Sequence, residues 1–287
     1  MSEHETEFRV SGMCRALKVS ASGYYAWRKR GLGRRAVANL ELARRIRDIY
    51  QASRRTYGSP RVHATLRQDG WMCSRKRVAR LMRCEGLAGR SPRRRFPHTT
   101  QATPGSPVAP NLLAQDFTAE RPDQKWVADI TYVDTAEGWL YLAPVLDLFS
   151  RKVVGWSMDS HLCSSLAEDA LCMAVARRCP APGLLHHSDR GTQYTSAAYQ
   201  QRLAHLQCRV SMSRTGNCYD NAVMESFFST LKSECLTGQF QTRAQARTAI
   251  FEFIEVWYNR HRLHSSLGYL SPEEFERSLL SDILSVD

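Results

Sequence analysis

The chain has 287 residues with 40 Lys and Arg against 28 Asp and Glu, a formal net charge of +12, and a hydrophobic content of 43% that is ordinary for a globular protein. It has no run of about eighteen apolar residues and no basic-then-apolar start, which argues against a membrane span and an export signal. The nine cysteines include no CxxC pair, so we expect reduced thiols and a cytoplasmic protein.

Positive charge is concentrated in the first third of the chain. Residues 1–100 hold 24 Lys and Arg against 7 Asp and Glu, a balance of +17, whereas the remaining residues hold 16 against 21, a balance of −5. This asymmetry is typical of a chain that binds a polyanion. Double-stranded DNA is the expected partner. A membrane surface would need a stripe of large apolar residues opposite the basic ones, and it is disfavoured because the basic segments carry turn residues and compact helical patterns.

Two helical regions are predicted before residue 90. Residues 1–50 form a basic helical region, and residues 51–90 form a helix-turn-helix. Ser59 and Ser74 suit the starts of its two helices, with breaks at Gly70 and Gly86. The second helix carries the basic residues Arg75, Lys76, Arg77, Arg80 and Arg83. They could form a solvated face, but the regional charge excess favours DNA contact.

Residues 91–121 are rich in Pro, Arg, Thr and Ala, which predicts a linker. Its basic triplet, Arg93, Arg94 and Arg95, is expected to follow DNA phosphates.

Strand patterns begin after residue 122. KWVADITYVD, WLYLAPVLDLF and KVVGWSM predict three antiparallel strands with short turns. A helix over 164–178, a strand at LLHHS, a helix over 195–206, a strand at CRVSMS and a helix over 221–235 follow. This order predicts an α/β fold with a ribonuclease-H-like mixed five-stranded sheet and flanking helices. The core is placed at 122–240 and a C-terminal helical extension at 241–287.

Three acids occupy informative places in this scheme. Asp129 lies in the middle of the first apolar strand, Asp189 lies just beyond the fourth strand, and Glu225 lies on the last core helix. An acid in an apolar strand must face solvent, a partner or a metal. The first and fourth strands are expected to be neighbours with the helix beside them, so the three carboxylates could converge. Such oxygen ligands suit Mg²⁺ or Mn²⁺, and two ions can assist an in-line displacement at phosphorus.

The segments WVADIT, HSDRGTQY, SRTGNCYDNAVMESFFSTLKSE and YNRHRLHSSLGYLSPEEF resemble blocks of a known family. Residues 122–275 resemble the integrase catalytic core of OrfB-type transposases of bacterial insertion sequences, in the insertion-sequence-three family, which are relatives of retroviral integrases. Thirty-five residues separate Asp189 from Glu225, the spacing of this Asp-Asp-Glu superfamily. The segments YGSPRVHATLRQDG and MCRALKVSASGYYAW also resemble the family, so the similarity covers nearly the whole chain.

The resemblance implies Asp129, Asp189 and Glu225 as catalytic metal ligands, with Lys232 as the basic residue that completes the pattern. Lys232 follows Glu225 by two helical turns and could hold a phosphate, or it could be a surface lysine. The implied reaction is metal-dependent hydrolysis at an element end, followed by direct attack of the freed 3′-hydroxyl on a second phosphodiester. The retroviral zinc-binding domain is absent from the sequence. The resemblance also implies a homo-oligomer on DNA and an upstream reading-frame product fused by frameshifting, with this chain as the downstream half.

Several assignments stay open at this stage. Arg190 and Gln193 beside Asp189 could contact substrate or make structural hydrogen bonds. Asp220 is expected to cap the helix that carries Glu225. Two other function classes compete with the transposase. One is a nuclease that cleaves without joining, and the other is a non-enzymatic DNA-binding regulator.

Overall fold

The computed structural model describes residues 1–90, 109–214 and 218–284. The chain divides into two compact units, one formed by Met1–Arg55 and Val62–Ala88 and the other by Thr56–Arg61 and Gly89–Asp287. Among the described residues, no helix is both long enough and apolar enough to span a membrane. The predicted Arg93–Arg95 triplet lies outside the described residues.

The first unit is helical. Its elements are α1 (Val10–Ala16), α2 (Ala21–Lys29), α3 (Arg34–Ala52), α4 (Ser59–Gln68, which begins within the second unit's segment) and α5 (Arg75–Cys84). The Ser74 hydroxyl accepts a hydrogen bond from the Arg77 backbone N–H and so caps α5 as predicted. Gly70 and Gly86 have φ of +83° and +66°, a region that glycine adopts without steric cost.

The core of this unit is built from apolar residues of α3, α4 and α5. Their apolar residues recur at helical spacing and are buried, as for Ile46, Val62 and Val78, each 0% exposed. The predicted helix-turn-helix, α4 followed by α5, is present.

The second unit is built on a mixed sheet. Its strands are β1 (Lys125–Ala128), β2 (Thr131–Val133), β3 (Leu140–Asp147), β4 (Val153–Asp159), β5 (Leu185–Ser188) and β6 (Arg209–Met212). β1 pairs antiparallel with β3 and parallel with β5, β5 pairs parallel with β6, and β3 pairs antiparallel with both β2 and β4. The predicted mixed α/β architecture is confirmed.

The sheet has six strands rather than five because the first predicted strand is interrupted. β1 and β2 continue one register along β3, with Ala128 opposite Val145 and Thr131 opposite Leu142. In that register Asp129 stands opposite Pro144, which has no N–H to contribute to a ladder. The prediction that Asp129 lies inside a continuous strand is therefore wrong, since it lies at the break.

Helices cover the sheet. They are α6 (Ser164–Arg178), α7 (Ala197–His205), α8 (Ala222–Glu234), α9 (Arg243–Phe251), which continues into π-helical turns over Glu252–Tyr258, and α10 (Pro272–Leu284). α6 packs closely on β4 because Gly155 has no side chain. A Cβ there would lie 2.3 Å from the Ala170 carbonyl oxygen.

Residues beyond the predicted core and in the predicted linker also contact the sheet. The Leu112 and Leu113 backbone N–H groups donate to the Ser211 hydroxyl of β6, and Leu113 is buried. At the other side, the Asn259 side chain both donates to and accepts from the Val153 backbone of β4. The Asn259 contacts satisfy backbone groups of β4 that a sheet edge would otherwise leave unpaired.

Candidate active site

Two carboxylates follow neighbouring parallel strands. β1 and β5 pair with Trp126 opposite His186 and Val127 opposite His187. Continued by two residues, this register places Asp129 and Asp189 side by side just beyond the carboxyl ends of the strands. Adjacent strands lie about 4.8 Å apart, so the two acids are neighbours. Ligand sites of open α/β sheets lie at this edge.

Glu225 comes from the helix that packs beside these strands. α8 contacts β1, and Glu225 is partly exposed on its first turn. Burial raises the pKa of Asp129 well above its ordinary value, and the negative charges of Asp189 and Glu225 raise it further. The Ile130 backbone hydrogen bond and the Lys232 ammonium oppose that rise in pKa. The structure thus brings the predicted acids and Lys232 within electrostatic reach of Asp129.

Both oxygens of Asp129 are held by the protein. The Ile130 N–H donates to Oδ1 at 2.7 Å, and the Asn221 side-chain amide donates to Oδ2 at 2.8 Å. Two bonds to opposite oxygens fix the carboxylate plane.

Asn221 was not assigned to the site from the sequence. It occupies the N-cap position of α8 but makes no capping hydrogen bond with its side chain, which points to Asp129 instead. It is 7% exposed, and its Oδ1 has no hydrogen-bond partner among the described residues. Its place one helical turn before Glu225 was the available signal, because residues at i and i+4 share a helix face.

The expectation that Asp220 caps α8 is wrong. Asp220 lies in a 3₁₀ turn over Cys218–Asn221 and is 0% exposed. Its carboxylate accepts hydrogen bonds from the backbone N–H and guanidinium of Arg214 and from the Gln115 amide. These bonds satisfy a buried charge and fix the approach to α8.

Lys232 lies at the border of the carboxylate cluster. Its ammonium nitrogen is 5.6 Å from the centre of the Tyr132 ring, and its side chain is exposed. Partial burial of the ammonium group lowers the pKa of Lys232, whereas the negative charge of Asp129 opposes that shift. Lys232 is therefore a cation directed toward the cluster and open to a ligand.

Arg190 has a structural contact beside Asp189. Its Nε donates to the Ser213 carbonyl oxygen at 2.7 Å, which connects the end of β5 to the end of β6. The Asp189 Oδ1 accepts a hydrogen bond from the Gly191 N–H at 2.9 Å. The sequence left open whether Arg190 contacts substrate or makes structural hydrogen bonds. The bond to Ser213 shows that it makes a structural one.

β5 itself carries two buried histidines. His187 contacts the Ser211 and Ser213 hydroxyls through its two ring nitrogens, and burial lowers its pKa to about 4. His186 contacts the Tyr199 hydroxyl, and burial lowers its pKa to about 3. Both rings are neutral parts of the core behind Asp189.

The predicted DNA-contacting residues of α5 differ in their surroundings. Arg75, Lys76 and Arg80 are exposed, whereas Val78, Leu81 and Met82 of the same helix are buried. Arg77 is partly buried, and its Nε donates to Asn39 Oδ1 at 2.9 Å. Arg77 therefore also joins α5 to α3.

Within residues 1–90, 109–214 and 218–284, no group of three or more His, Cys, Asp or Glu side chains is arranged to hold a metal ion. The carboxylates affect one another electrostatically, but they do not surround a common point.

Comparisons with known proteins define the class. Residues 119–218 and 206–272 match models of the integrase core domain, and residues 38–95 match an HTH-like domain. The HTLV-2 integrase catalytic core domain in complex with magnesium is similar with a TM-score of 0.42 and 16% identity, over 55% of this chain and 99% of that chain. The matches to the family models make the chain an integrase-core protein with an HTH-like region.

Curated relatives identify the family. The chain is 45% identical to the transposase InsF for insertion sequence IS3A of Escherichia coli K12, over 98% of both chains. It is 43% identical to the insertion element IS600 uncharacterized 31 kDa protein of Shigella sonnei, over 92% of this chain and 97% of that protein. The chain belongs to the IS3 family of insertion-sequence transposases, and it is a DNA-binding polynucleotidyl transferase of the integrase type.

Burial of His186 predicts a specific pH dependence of stability. The pKa of His186 is about 3 in the folded protein and has the ordinary value of 6.5 in the unfolded chain. Between these pH values the unfolded chain binds a proton at this residue and the folded chain does not. Stability should fall by about 1.4 kcal/mol per pH unit from this group as pH drops below 6.5. His186→Phe removes this loss, so the free energies of unfolding of the two proteins should converge by about 2 kcal/mol between pH 7 and 5. Urea unfolding at several pH values measures this, and parallel profiles contradict it.

Proposed function

We propose that Asp129, Asp189 and Glu225 form the Asp-Asp-Glu catalytic triad of this transposase and hold two Mg²⁺ or Mn²⁺ ions. The chain then cleaves DNA at insertion-element ends and joins the freed strand to target DNA by direct transesterification. The supporting observation is the influence of Asp189 and Glu225, from two separate elements, on the partly buried carboxylate of Asp129. Three like charges at one sheet edge are costly without a cation.

The donor set fits divalent cations that prefer oxygen. Carboxylates from a strand break, a strand end and a helix supply hard ligands, and Mg²⁺ usually takes only one or two protein carboxylates beside water and phosphate. The Asn221 Oδ1, buried and without a partner among the described residues, supplies a further acceptor beside Asp129. Bound cations would relieve the mutual repulsion that raises the pKa of Asp129.

The protein's own residues bind and orient in this reaction. The cations, when bound, stabilise the charge on the attacking and leaving oxygens of an in-line displacement at phosphorus. Asn221 and the Ile130 N–H keep Asp129 in one orientation. Lys232 holds a DNA phosphate beside the carboxylates. The reaction requires no covalent enzyme intermediate, so no Ser, Tyr or Cys nucleophile is assigned.

The triad is tested by Asp129→Asn, Asp189→Asn and Glu225→Gln. Each should lower cleavage and joining of DNA that carries the element's ends by at least about 100-fold, because each removes one charged ligand. Each variant should still fold and bind DNA. Labelled-strand cleavage and strand-transfer assays in Mg²⁺ measure the loss.

The matched control is Asp134→Asn, an exposed acid five residues beyond Asp129. It should keep full activity. Near-normal activity in any triad variant would remove that residue from the proposed site. A wild-type protein that cleaves but never yields a joined product would instead support the nuclease.

Asn221→Ala should weaken cation binding without unfolding the protein. The substitution removes the donor that orients Asp129, and loss of such a partner typically costs 10- to 100-fold in metal affinity. Titration of the protein with Mn²⁺, followed by electron paramagnetic resonance, measures affinity independently of catalysis. The control is Asn111→Ala, since Asn111 caps a turn in the same unit. If Asn221→Ala and Asn111→Ala bind Mn²⁺ equally well, Asn221 does not contribute to cation binding and its role is structural.

We also propose that the exposed basic residues of α5 contact DNA phosphates. The +17 balance of residues 1–100 supports electrostatic binding. Arg93, Arg94 and Arg95, outside the described residues, and Arg190 are proposed to add phosphate contacts. Arg77 adds one only if its guanidinium reaches DNA while it stays bonded to Asn39.

Replacement of Arg75, Lys76 and Arg80 together by alanine should reduce the salt dependence of DNA affinity. Each lost phosphate contact lowers the slope of log affinity against log salt by about 0.9. Fluorescence anisotropy between about 50 and 200 mM salt gives the slope. Arg202→Ala, at an exposed position of α7, should not change it. An unchanged slope in the triple variant would show that α5 does not contact phosphates.

Assembly and partners extend the proposal. A transposase that joins two element ends must bring both ends together, so we propose a homo-oligomer on DNA. We propose that specific recognition of the ends is completed by an upstream reading-frame product fused by frameshifting, because single helix-turn-helix modules usually need a second module or a dimer for specificity.

A further inference from the structure

An exposed aromatic side chain and the cation that borders the carboxylate cluster contact the same tyrosine ring. Trp139 is 47% exposed, and its ring packs edge-on against Tyr132 with ring centres 5.0 Å apart. The same Tyr132 ring has the Lys232 ammonium 5.6 Å from its centre. Lys232 in turn interacts with Asp129. We call Trp139, Tyr132 and Lys232 the aromatic step, which leads outward from the carboxylates.

The turn that carries Trp139 is held rigidly. The Ala136 N–H donates to the Phe240 carbonyl oxygen, and Thr135 forms a parallel bridge with Phe240. Within the turn, the Gly138 N–H donates to the Thr135 carbonyl oxygen, and the Thr135 hydroxyl donates to the Gly138 carbonyl oxygen.

The start of α9 braces the same turn from outside. The Arg243 backbone N–H donates to the Glu137 carboxylate, and its Nε donates to the Trp139 carbonyl oxygen at 3.0 Å. An exposed Trp on a braced turn does not stabilise the core, yet its backbone is fixed. This is the arrangement of a preorganised contact residue.

The chemistry of the turn selects the ligand. Asp134 and Glu137 are acidic, so the turn itself does not suit a phosphate, whereas the neighbouring Lys232 does. A flat, exposed indole can stack on the face of another aromatic ring. Unpaired nucleobases stack on such side chains without sequence preference. A nucleotide offers both groups, with its phosphate near the cation and its base on the aromatic ring.

We propose that Trp139 is a stacking site for an unpaired nucleobase of the DNA strand whose phosphate lies at Lys232. The inference rests on the proposed function, because it places that strand at the carboxylates. The aromatic step thereby favours DNA whose end is frayed over fully paired DNA. Melting of the terminal base pairs exposes the strand to the carboxylates, and stacking on Trp139 offsets part of the cost of unpairing.

The test compares binding of two fluorescein-labelled duplexes of equal length, one fully paired and one with three mismatched terminal pairs, in EDTA. The full-length wild-type chain should bind the frayed duplex about tenfold more tightly. Trp139→Ala should reduce this preference to near one, and Trp139→Phe should keep most of it. Phe251→Ala, which removes a 46% exposed aromatic residue elsewhere in the same unit, should keep all of it.

A second measurement places 2-aminopurine among the mismatched bases. Stacking on the indole should quench its fluorescence with the wild type but not with Trp139→Ala, provided that the variant melts within a few degrees of the wild type. Equal binding of both duplexes by the wild type, or a retained preference and quenching in Trp139→Ala, overturns the proposal. Because EDTA prevents catalysis, these outcomes are independent of the Asp129→Asn activity test.

Discussion

Backbone hydrogen bonds join β1 to β5 in one parallel register, and that register determines which residues lie beyond the two strand ends. Trp126 opposite His186 places Asp129 beside Asp189. A shift by one residue would also turn every side chain of the short, fully buried β5 to the other face. His186 and His187, buried and bonded to Tyr199, Ser211 and Ser213, oppose such a shift because their ring nitrogens would lose partners.

This register concentrates negative charge, and the protein compensates only in part. The pKa of Asp129 is raised by burial and by two neighbouring carboxylates, and its Ile130 hydrogen bond and Lys232 lower it only partly. A site in which carboxylates repel one another is less stable than a neutral core, and such costs are typical of functional sites. The cost supports a cationic ligand, since a divalent ion would convert repulsion into attraction.

The sequence predicted the fold well where apolar residues recur at the regular spacing of a helix or a strand. Helices α6 and α8 and the strands β3 to β6 lie where the patterns placed them. The acids Asp129, Asp189 and Glu225 were singled out as candidates because each is an acid in an apolar setting or at a strand end, and because the segments that carry them resemble the family. The break at Asp129 was missed because its cause is Pro144, and a proline's effect on a neighbouring strand depends on register, which one segment does not reveal.

Side-chain partners were the least predictable part of the site. Asp220 and Asn221 are both good capping residues, and only the surrounding structure decides that one binds Arg214 and the other binds Asp129. Trp139 has the apolarity of a core residue, and its exposure follows from a turn braced by Arg243, more than a hundred residues later. Such contacts depend on tertiary structure.

The sequence predicted residues 241–287 only as a helical extension of the core. In the structure, some of these residues directly support the elements that carry the candidate site. Glu234 at the end of α8 forms a two-bond ion pair with Arg262, and both are at least nine-tenths buried. Removing one partner of such a pair costs about 3–5 kcal/mol, because the other charge stays buried. α8 is thus fixed at its end by Arg262, while Asn221 at its start holds Asp129. Since Arg243 also braces the turn that carries Trp139, together with Phe240 at the end of the predicted core, the C-terminal segment supports both the helix of Glu225 and the aromatic step.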